Sequence, residues 1–599
     1  MLKNLWTLRR YYSRYRRGTL AGVLFLLACN LCQLALPFLG GRAVDALNQL
    51  REQGGLGALE YLGDFSKYTP ALGILIVLAA LAMAQITRAV FSFLQRTFIG
   101  RVSRRIESDL RVDFFAHLQE LSPSYYDRVK TGDLMARSTN DLTAVHRALE
   151  GGVTAAFDTL FMFSGSLAIM LLFNSELTLY ALIPVAVLPV FIMTFSRPIR
   201  RRFEKIQALF GDINTACQEN FSGMRVIKAF VREEHEKAKF RELNRTYARK
   251  NISLAKIRSL FRPMLALLAG AAIVVVYWRG GREVVYGRMS LGDLFMFVQY
   301  VDGIIGPMMA LGWLVVLFQQ GGASMARMQK IFDVKPTIYD APDVKTLSDA
   351  RGAIEFRNLT FTYPGFERPA LSNINLRMPE GSTTAVVGPA GCGKSTLASL
   401  IARLYEVGEG QLFIDGRDAT KIPLSGLRSV IGFVPQVSFL FSESISDNIR
   451  YGAPETDAGL LRAAANVSQI SADIKQFPEG YDQVLGERGI NLSGGQKQRV
   501  TIARAIIRDP KILILDDALS SVDTHTEGRI LRHLRGAAKR RTSIIISHRL
   551  SSVQHADNIV VLEDGRLTEQ GQHKDLMNNG GFYAKTYQRQ QLEESLEEM

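Results

Sequence analysis

The first half of the sequence carries long apolar runs, whereas the second half alternates short apolar and polar segments. A helix that crosses the hydrocarbon core of a bilayer needs about 20 mostly apolar residues. Six runs reach that length and predict membrane-spanning helices over about residues 19–41, 71–94, 153–173, 177–196, 260–278 and 292–318. The pattern therefore predicts an all-α transmembrane domain over residues 1–330, a linker over 331–350 and a soluble α/β domain over 351–599.

Two of the connections between these runs are much longer than the others. About sixty residues separate the second run from the third and the fourth from the fifth, and both connections are rich in Lys and Arg. If the N-terminus is cytoplasmic, they predict two long cytoplasmic arms, built of helices that continue beyond the membrane. Joints are expected over residues 131–141, where Gly132 permits a turn and Asp133 a helix cap, and around Gly211. Such joints could dock on the soluble domain or be simple loops.

Basic residues outnumber acidic ones by 72 to 57, which gives a formal net charge of +15. Nucleic-acid binding is one explanation, but many basic residues lie beside apolar runs, as Arg14, Arg16 and Arg17 do. Cationic residues at these positions orient spanning helices and attract anionic headgroups. We therefore expect membrane lipids, and no nucleic acid, as partners. The start of the chain predicts an amphipathic helix on the inner membrane face, with a mitochondrial presequence as the alternative.

A glycine-rich segment follows the apolar strand 384–387 and precedes a helical run over 397–404. A phosphate-binding loop requires this strand–loop–helix setting, because glycines let backbone N–H groups approach the phosphates and the helix N-terminus attracts negative charge. The candidate nucleotide-binding residues of this segment are Gly388, Gly391, Gly393, Lys394, Ser395 and Thr396. Lys394 is expected to reach the β- and γ-phosphates and Ser395 to ligate Mg²⁺.

A second apolar strand, over residues 512–515, delivers two carboxylates at its end. A buried strand that ends in an acid beside a phosphate loop is the arrangement of a Walker B motif. Asp516 is expected to hold Mg²⁺, and Asp517 stands where a carboxylate can orient the attacking water. Together the two segments predict a P-loop nucleoside triphosphatase.

The segment Leu492-Ser493-Gly494-Gly495-Gln496 lies between these motifs, just ahead of a helix over 497–508. Its serine and glycines are expected to face outward at a helix N-terminus, which is an anion site. With this LSGGQ segment the chain resembles the ATP-binding cassette family over essentially its whole length. In that family each nucleotide lies between the phosphate loop of one cassette and the signature of another. The resemblance therefore implies ATP contacts at Ser493, Gly494, Gly495 and Gln496.

The resemblance also assigns roles to residues outside these motifs. Tyr363 resembles the aromatic residue that stacks on adenine, and Gln436 resembles the Q-loop residue that senses Mg²⁺ and contacts the membrane arms. Asp523 lies in a segment similar to the D-loop, and His548 matches the switch histidine that contacts the γ-phosphate. The implied catalytic residues are Asp517, His548 and Gln436, the implied metal ligands are Ser395, Gln436 and Asp516, and the implied cofactors are ATP and Mg²⁺.

One position departs from the family pattern. Most active cassettes carry Glu directly after the Walker B aspartate, where this chain has Asp517. One methylene fewer withdraws the carboxylate by roughly 1.5 Å, and a misplacement of about 1 Å can lower a rate on the order of 100-fold. The pattern looks like the degenerate-site half of a bacterial heterodimeric multidrug exporter of the Mdl type, whose partner carries Glu. A homodimer with two weakened sites is the alternative, and the presence of His548 favours it.

The resemblance implies the type IV exporter fold, in which two chains give twelve spans around a central cavity. It implies ATP-driven export of hydrophobic or amphipathic drugs or lipids across the cytoplasmic membrane, with the nucleotide-binding domain in the cytoplasm. A siderophore-type importer on the exporter fold and an ATP-gated channel use the same parts and are the alternatives. Asp302, inside the sixth run, either lines the pathway or makes a structural hydrogen bond to a neighbouring helix.

Overall fold

The computed structural model describes residues 5–53, 70–340, 344, 349–536 and 541–597. The chain divides into two compact units. The membrane unit comprises residues 1–118 and 132–333, and the soluble unit comprises residues 119–131 and 334–599. The segment 119–131, which belongs to the first predicted arm, thus groups with the soluble domain.

Within the described residues, six helices are long and apolar enough to cross a bilayer, which confirms the predicted number of spans. These spanning helices are Arg16–Gln53, Pro70–Glu120, Val153–Phe173, Ser175–Ser222, Glu233–Val285 and Leu291–Phe332. Most are longer than the apolar runs, because charged segments continue the same helices beyond the membrane. The second spanning helix has 51 residues, which corresponds to roughly 75 Å at 1.5 Å per residue.

Polar side chains define where several spanning helices begin. Asn174 caps the fourth helix, since its side chain accepts a hydrogen bond from the backbone N–H of Leu177. Ser290 and Asp293 form a reciprocal capping box at the start of the sixth helix. Such caps satisfy backbone N–H groups that have no partner within a helix.

The first and sixth spanning helices approach each other closely. A Cβ atom added at Gly41 would lie 2.6 Å from the carbonyl oxygen of Gly292, so this contact requires glycine. Asp45 on the first helix accepts a hydrogen bond of 2.7 Å from the Gly292 N–H. The Tyr300 hydroxyl of the sixth helix donates to the Leu34 carbonyl at 2.7 Å. These contacts join the two helices along several turns.

Asp302 lies on the exposed side of the sixth helix, whereas its neighbours Tyr300 and Val301 are buried. Its carboxylate forms no hydrogen bond or ion pair with any other residue that the structure describes. Within a single chain it therefore does not make the structural hydrogen bond that was one of its two predicted roles. A role in a transport pathway stays a prediction.

The joint of the first arm lies before the segment where it was predicted. The second spanning helix ends at Glu120, and the short helix Pro123–Tyr126 follows, with Pro123 in its first turn. Residues 131–141 are instead helical, and they include a π-helical turn at Arg137–Asp141. Proline at the first helical position starts a helix readily because its missing N–H has no partner there anyway.

The joint of the second arm also lies elsewhere. The fourth spanning helix continues through Gly211 to Ser222, and the chain bends at Gly223 before the short helix Met224–Ala229. A glycine costs only about 1 kcal/mol inside a helix, so Gly211 alone does not end one. The predicted joint at this position was wrong.

The soluble unit contains two sheets, with strand orders β2-β1-β4-β5 and β10-β9-β3-β8-β7-β6. The strands are β1 Ile354–Phe361, β2 Leu371–Met378, β3 Thr383–Val387, β4 Leu412–Ile414, β5 Arg417–Asp418, β6 Ile431–Val434, β7 Ile512–Asp516, β8 Thr542–Ile546, β9 Asn558–Glu563 and β10 Arg566–Gly571. The smaller sheet is antiparallel. In the larger sheet every neighbouring pair is parallel except β9 and β10.

The register of the larger sheet aligns the carboxyl ends of its central strands. Val386 of β3 and Asp516 of β7 both pair with Ile546 of β8. In an open parallel sheet, ligands bind at this edge, beyond the carboxyl ends of the strands. The loops that follow β3, β7 and β8 therefore converge at one edge.

Helices cover the larger sheet, whose strands β3 and β7 have every residue buried. Continuous burial is typical of parallel strands that are covered on both faces. The α-helices of the domain are Lys394–Ile401, Leu424–Ser429, Ile445–Arg450, Ala458–Val467, Ser471–Ile474, Gly494–Ile506, Thr524–Gly536, Leu550–Val553, His573–Asn579 and Phe582–Glu597.

Candidate nucleotide site

The loop between β3 and the helix Lys394–Ile401 has the backbone conformation of a phosphate cradle. Gly388, Gly391 and Gly393 have φ angles of +146°, +79° and +102°, which residues other than glycine rarely adopt. A Cβ atom at Gly388 would also lie 2.1 Å from the Leu562 carbonyl oxygen. The loop is thus held tightly against β9, with its backbone N–H groups near the helix N-terminus.

Lys394 is buried inside this loop. Its Nζ atom donates hydrogen bonds to the carbonyl oxygens of Gly388 at 2.9 Å and Pro389 at 2.7 Å. A buried ammonium group needs such partners, since an unpaired charge in the interior is costly. The lysine therefore closes the loop on itself, and it brings a positive charge to the position where phosphate oxygens would bind.

Ser395 and Asp516 meet directly beneath the loop. The Ser395 hydroxyl donates to Asp516 Oδ1 at 2.9 Å, and Asp516 is only 4% exposed. Burial raises the pKa of Asp516, whereas the hydrogen bond from Ser395 acts in the opposite direction. A hydroxyl and a carboxylate oxygen are hard donors of the kind that Mg²⁺ prefers, with substrate phosphates and water completing its shell. The donor set at this position therefore fits the predicted metal.

Asp517 follows β7 in a strained backbone conformation. Its φ angle is +47°, and its backbone N–H donates to the Ile546 carbonyl at 3.0 Å. That bond fixes the main chain at Asp517 against β8, so the reach of the carboxylate is set by the length of its side chain. The structure brings Asp517 beside Asp516, whose pKa its charge also raises.

Tyr363 lies at the edge of the phosphate-loop helix, half-buried among aromatic side chains. Its hydroxyl is 3.0 Å from the Thr396 hydroxyl. Its ring forms edge-to-face contacts with Phe361 and Tyr405, each with centroids 5.0 Å apart. The predicted adenine-stacking residue is therefore joined to the phosphate-loop helix by a hydrogen bond, and its ring packs on Phe361 and Tyr405.

Tyr405 extends this aromatic cluster to the first arm. Its hydroxyl donates to Asp127, just after the short helix Pro123–Tyr126, at 2.7 Å. Burial and this hydrogen bond raise the pKa of Tyr405, so the hydroxyl stays a donor at neutral pH. The Ser122 hydroxyl, on the other side of the short helix, accepts from the backbone N–H groups of Thr337 and Ile338, both at 3.0 Å. No sequence motif indicates Tyr405, which lies 278 residues from its partner.

The signature turn begins the helix Gly494–Ile506. Ser493 is the N-cap, and it forms a reciprocal capping box with Gln496. The Gln496 side chain also donates to Asp473 at 2.9 Å. Ser493 and Gly494 are exposed, so this helix N-terminus faces outward as predicted.

The signature helix is tied to the D-loop by Gln498, which the sequence analysis did not single out. Its side chain donates to the Ser520 hydroxyl at 3.0 Å and accepts from the Ser521 backbone N–H at 2.9 Å. A Cβ atom at Gly495 would lie 2.7 Å from the Ser521 carbonyl oxygen. Asp523 caps the next helix, and a hydrogen bond from the Thr526 N–H lowers its pKa.

His548 follows β8 and is exposed, as is Gln436 after β6. Gln590 of the C-terminal helix contacts the His548 loop through both the nitrogen and the oxygen of its side-chain amide. It donates to the His548 carbonyl at 2.7 Å and accepts from the Leu550 N–H at 2.8 Å. Sequence reasoning missed Gln590, because a lone glutamine in a polar helix carries no motif.

Arg549, next to the histidine, links the same loop to the D-loop. Its guanidinium donates to the Val522 carbonyl at 3.1 Å and to Glu527 at 3.0 Å. Glu527 is almost fully buried and also accepts from the Ser552 hydroxyl. The two loops that flank the nucleotide edge are therefore fixed to each other.

The predicted residues fall into two groups. The phosphate loop, the two aspartates and the His548 loop share the carboxyl edge of the sheet, because β3, β7 and β8 are neighbours. The signature residues lie on a separate helix. Within residues 349–536 and 541–597, no hydrogen bond or ion pair joins the signature turn to the phosphate loop.

Comparisons with known proteins agree with both units. The chain matches the ABC transporter transmembrane region over residues 19–308 and the ABC transporter family over residues 371–520. It is 36% identical over 597 residues to the probable multidrug resistance ABC transporter ATP-binding/permease protein YheI of Bacillus subtilis (strain 168), with 99% of this chain and 98% of that protein covered.

Two further matches extend this finding. The chain is 34% identical over 597 residues to the multidrug resistance-like ATP-binding protein MdlA of Escherichia coli (strain K12), with 99% of this chain and 97% of that protein covered. The solved structure of a bacterial Atm1-family ABC exporter with ATP bound is similar with a TM-score of 0.79 and 30% identity. The similarity covers 96% of this chain and 99% of the exporter chain.

Proposed function

Since this chain belongs to the ABC transporter family, we propose that it is one half of a two-chain exporter whose own phosphate-loop site hydrolyses ATP slowly. The predicted type IV exporter fold and the transport-coupled ATPase class are confirmed by the family and by the Atm1-family exporter. The chain is a multi-pass membrane protein of an ATP-driven exporter family. Our proposal adds that two chains assemble and that their two ATP sites hydrolyse at different rates.

The observation that carries this proposal is the separation of the two ATP-contacting surfaces. On the first surface, Lys394 donates to the phosphate loop and Ser395 donates to Asp516 at the end of β7. On the second surface, Ser493 and Gly494 are exposed at a helix N-terminus. An outward helix N-terminus attracts an anion, but no phosphate loop of the same chain is bonded to it. A second chain supports both halves, because its signature would meet Lys394 and its phosphate loop would meet Ser493.

Each residue of the phosphate-loop half has a definite task when ATP binds. The Lys394 ammonium exchanges its two carbonyl partners for phosphate oxygens and neutralises their charge. Ser395 and Asp516 would hold Mg²⁺, which supplies charge neutralisation at the β- and γ-phosphates when bound. Tyr363 stacks on the adenine, Gln436 contacts the metal site, and His548 donates to the γ-phosphate.

Asp517 is the residue that we infer to make this site slow. Its backbone is fixed by the bond to the Ile546 carbonyl, so the main chain does not move forward to offset a shorter side chain. Withdrawal of the carboxylate by about one C–C bond, roughly 1.5 Å, leaves the attacking water poorly oriented. Hydrolysis is then carried mainly by the site that pairs Ser493, Gly494 and Gly495 with the phosphate loop of a partner bearing Glu.

A chain of contacts supports coupling between nucleotide and transport. Tyr363 packs on Tyr405, and Tyr405 donates to Asp127 beside the short helix Pro123–Tyr126. This short helix is continuous in sequence with the second spanning helix, which ends at Glu120. Movement at the adenine position is therefore transmitted to a segment covalently joined to a span.

We infer that the substrates are hydrophobic or amphipathic compounds, drugs or lipids, exported across the cytoplasmic membrane with the soluble unit in the cytoplasm. MdlA and YheI bear names that refer to multidrug resistance, and this supports the substrate class. Accumulation of a fluorescent amphipathic dye in inside-out vesicles tests the direction. Uptake against a gradient is expected for an exporter, and equilibration without accumulation would indicate a channel.

The substitution Asp517→Glu tests the slow-site proposal. In the assembled two-chain complex we expect ATP turnover to rise about twofold, because the longer side chain restores the reach of the carboxylate and adds a second competent site to the first. Asp564→Glu is the matched control, since Asp564 also has a positive φ, of +45°, but is exposed and lies outside the predicted site. Its turnover should equal that of the unmodified complex.

A homodimer gives a different result in the same assay. The chain purified alone would then form active dimers, and Asp517→Glu would accelerate both sites. If Asp517→Glu leaves turnover unchanged and mutation of the partner's glutamate also has no effect, the slow-site proposal is wrong.

A further inference from the structure

A cavity of about 380 Å³ lies in the membrane unit where the chain enters its first spanning helix. We call it the arginine pocket. Its lining residues are Arg14, Tyr15, Arg16, Arg17, Gly18 and Val102, together with Arg105. The pocket thus brings together the start of the first spanning helix and the middle of the second.

The walls of this pocket are held in place by packing. The short helix Arg9–Arg14 is anchored by Leu8 and Tyr11, both buried, and the Tyr11 hydroxyl donates to Asp113 at 2.7 Å. A Cβ atom at Gly18 would lie 2.9 Å from a methyl carbon of Val102. Glycine therefore allows the two long helices to approach at the floor of the pocket.

The charge of the pocket is strongly unbalanced. Arg14 pairs with Asp109 at 3.3 Å, and Asp109 also accepts from the Tyr15 hydroxyl at 3.0 Å. In the part of the chain that the structure describes, no carboxylate lies within 4 Å of the nitrogens of Arg16, Arg17 or Arg105. The three guanidinium groups are exposed to solvent, which weakens their mutual repulsion, and all three attract an anion that lies between them.

The depth of the pocket identifies the source of that anion. Gly18 directly precedes the first apolar run, and its close approach to Val102 brings the second spanning helix to the same level. The start of the first apolar run therefore places the pocket at the membrane edge, where phospholipid phosphates lie. Leu20 and Leu24, one helical turn apart just inside the membrane from Gly18, are 67% and 66% exposed and offer a surface for an acyl chain.

We propose that the arginine pocket is a binding site for the phosphate group of an anionic phospholipid such as phosphatidylglycerol. Guanidinium groups suit this ligand, because each presents several N–H donors in the planar geometry that matches phosphate oxygens. The acyl chains lie along Leu20 and Leu24. Bound lipid then fixes the N-terminal helix to the first two spans.

Lipid retention measured by native mass spectrometry tests the site. The full-length chain, with its partner where assembly requires one, is reconstituted in nanodiscs that contain equal parts of phosphatidylglycerol and phosphatidylcholine, and then released into detergent. We expect retained phosphatidylglycerol in clear excess over phosphatidylcholine. The triple variant Arg16→Gln/Arg17→Gln/Arg105→Gln should lower that preference at least 10-fold, since each basic residue near a membrane surface contributes measurably to binding an anionic lipid.

A second basic cluster provides the matched control. Arg197, Arg200 and Arg201 also follow an apolar run, and they are exposed and line no part of this cavity. Arg197→Gln/Arg200→Gln/Arg201→Gln should keep the preference. Equal loss in both triple variants would mean diffuse surface attraction, and an unchanged preference in the first variant would mean no site; either result overturns the proposal.

Two further measurements keep the test decisive. If the triple variant does not fold, the single variant Arg105→Gln should still lower the preference severalfold, and no change there counts against the site. Inorganic phosphate, added at about 10-fold molar excess over lipid, would compete with lipid at a site that binds any anion. At a lipid site it should not displace the phosphatidylglycerol. Full displacement would show a site for free anions and would contradict a lipid site.

Discussion

The phosphate loop and the signature turn belong to the same soluble unit, yet their surroundings are opposite. The phosphate loop is closed on itself, with Lys394 buried and both of its carbonyl partners in the loop. The signature turn presents Ser493 and Gly494 to solvent, and its capping box satisfies only the helix end. In the proposed two-chain exporter, the phosphate loop encloses phosphate on one side and the signature turn of the partner chain approaches it from the other side.

Under the two-chain proposal, this difference explains why one chain would be incomplete as an ATPase. A site that surrounds the γ-phosphate needs donors on both sides, because catalysis of phosphoryl transfer rests on positioning and charge stabilisation. We propose that each of the two surfaces of this chain supplies the donors on one side of a separate site. Substitutions on the phosphate loop should therefore weaken ATP binding by this chain, whereas substitutions on the signature turn should lower ATP turnover of the complex. The two effects can be measured separately.

The largest effect is expected from Lys394→Ala. Loss of the ammonium group removes charge-assisted hydrogen bonds to phosphate, each worth roughly 1.5–3 kcal/mol, so affinity for ATP at this chain's own loop should fall on the order of 100-fold. Equilibrium binding of a fluorescent ATP analogue measures it. Lys574→Ala, at an exposed lysine, is the control. Unchanged affinity in Lys394→Ala would contradict the assignment of the loop.

The next effect concerns the signature surface. In Gly495→Ala the added Cβ would lie 2.7 Å from the Ser521 carbonyl oxygen, so the turn has to shift. We expect ATP turnover of the assembled complex to fall at least 10-fold, since a misplacement of about 1 Å can cost on the order of 100-fold. ATP binding at this chain's own phosphate loop should remain, which distinguishes this variant from Lys394→Ala.

Gly528→Ala is the matched control for that experiment. Gly528 lies on a neighbouring helix, and a Cβ atom there would have no atom within 4 Å. Its turnover should match the unmodified protein. If Gly495→Ala also weakened ATP binding by the chain alone, the two surfaces would not be separate.

A smaller effect is expected from Gln590→Leu. This change removes both hydrogen bonds that hold the His548 loop, worth about 0.5–1.5 kcal/mol each. Turnover should fall roughly 5- to 10-fold with little change in ATP affinity, because the role proposed for the histidine is in hydrolysis and not in binding. Gln591→Leu, at the next and exposed position of the helix, should behave like the unmodified protein. A loss of equal size in both variants would indicate a general loss of stability.

The smallest effect is expected from Tyr405→Phe, which keeps the ring beside Tyr363 but removes the bond to Asp127. ATP affinity should stay unchanged, whereas the number of substrate molecules moved per ATP should fall about 2- to 3-fold, as expected for the loss of an exposed hydrogen bond worth roughly 0.5 kcal/mol. Dye transport and ATP turnover measured in the same vesicles give this ratio. An unchanged ratio would exclude this contact from coupling.

Features coded by contiguous residues could be predicted from the sequence. The phosphate loop requires glycines at fixed positions, and the two aspartates follow a short buried strand, so both motifs carry their own structural setting. The six spans were equally clear, because apolar length is a local property. His548 and Asp516 were predicted separately, and the parallel order of β3, β8 and β7 explains why they share one edge.

Features that depend on distant contacts could not be predicted. Gln590 reaches a loop 42 residues earlier, and Tyr405 reaches Asp127 across 278 residues. Neither residue type is unusual in its own segment. The joint at Gly211 was wrong for a related reason, since a helix held by its neighbours tolerates one glycine, and the chain turns only at Gly223.

The central claim is that each nucleotide is clamped between two separate polypeptides. Native mass spectrometry of ATP-loaded protein in nanodiscs, combined with the hydrolysis rate of the same fractions, tests it most directly. We expect all rapid turnover in particles that contain two chains, and almost none in particles that contain one. Full-speed hydrolysis by single-chain particles would contradict the claim.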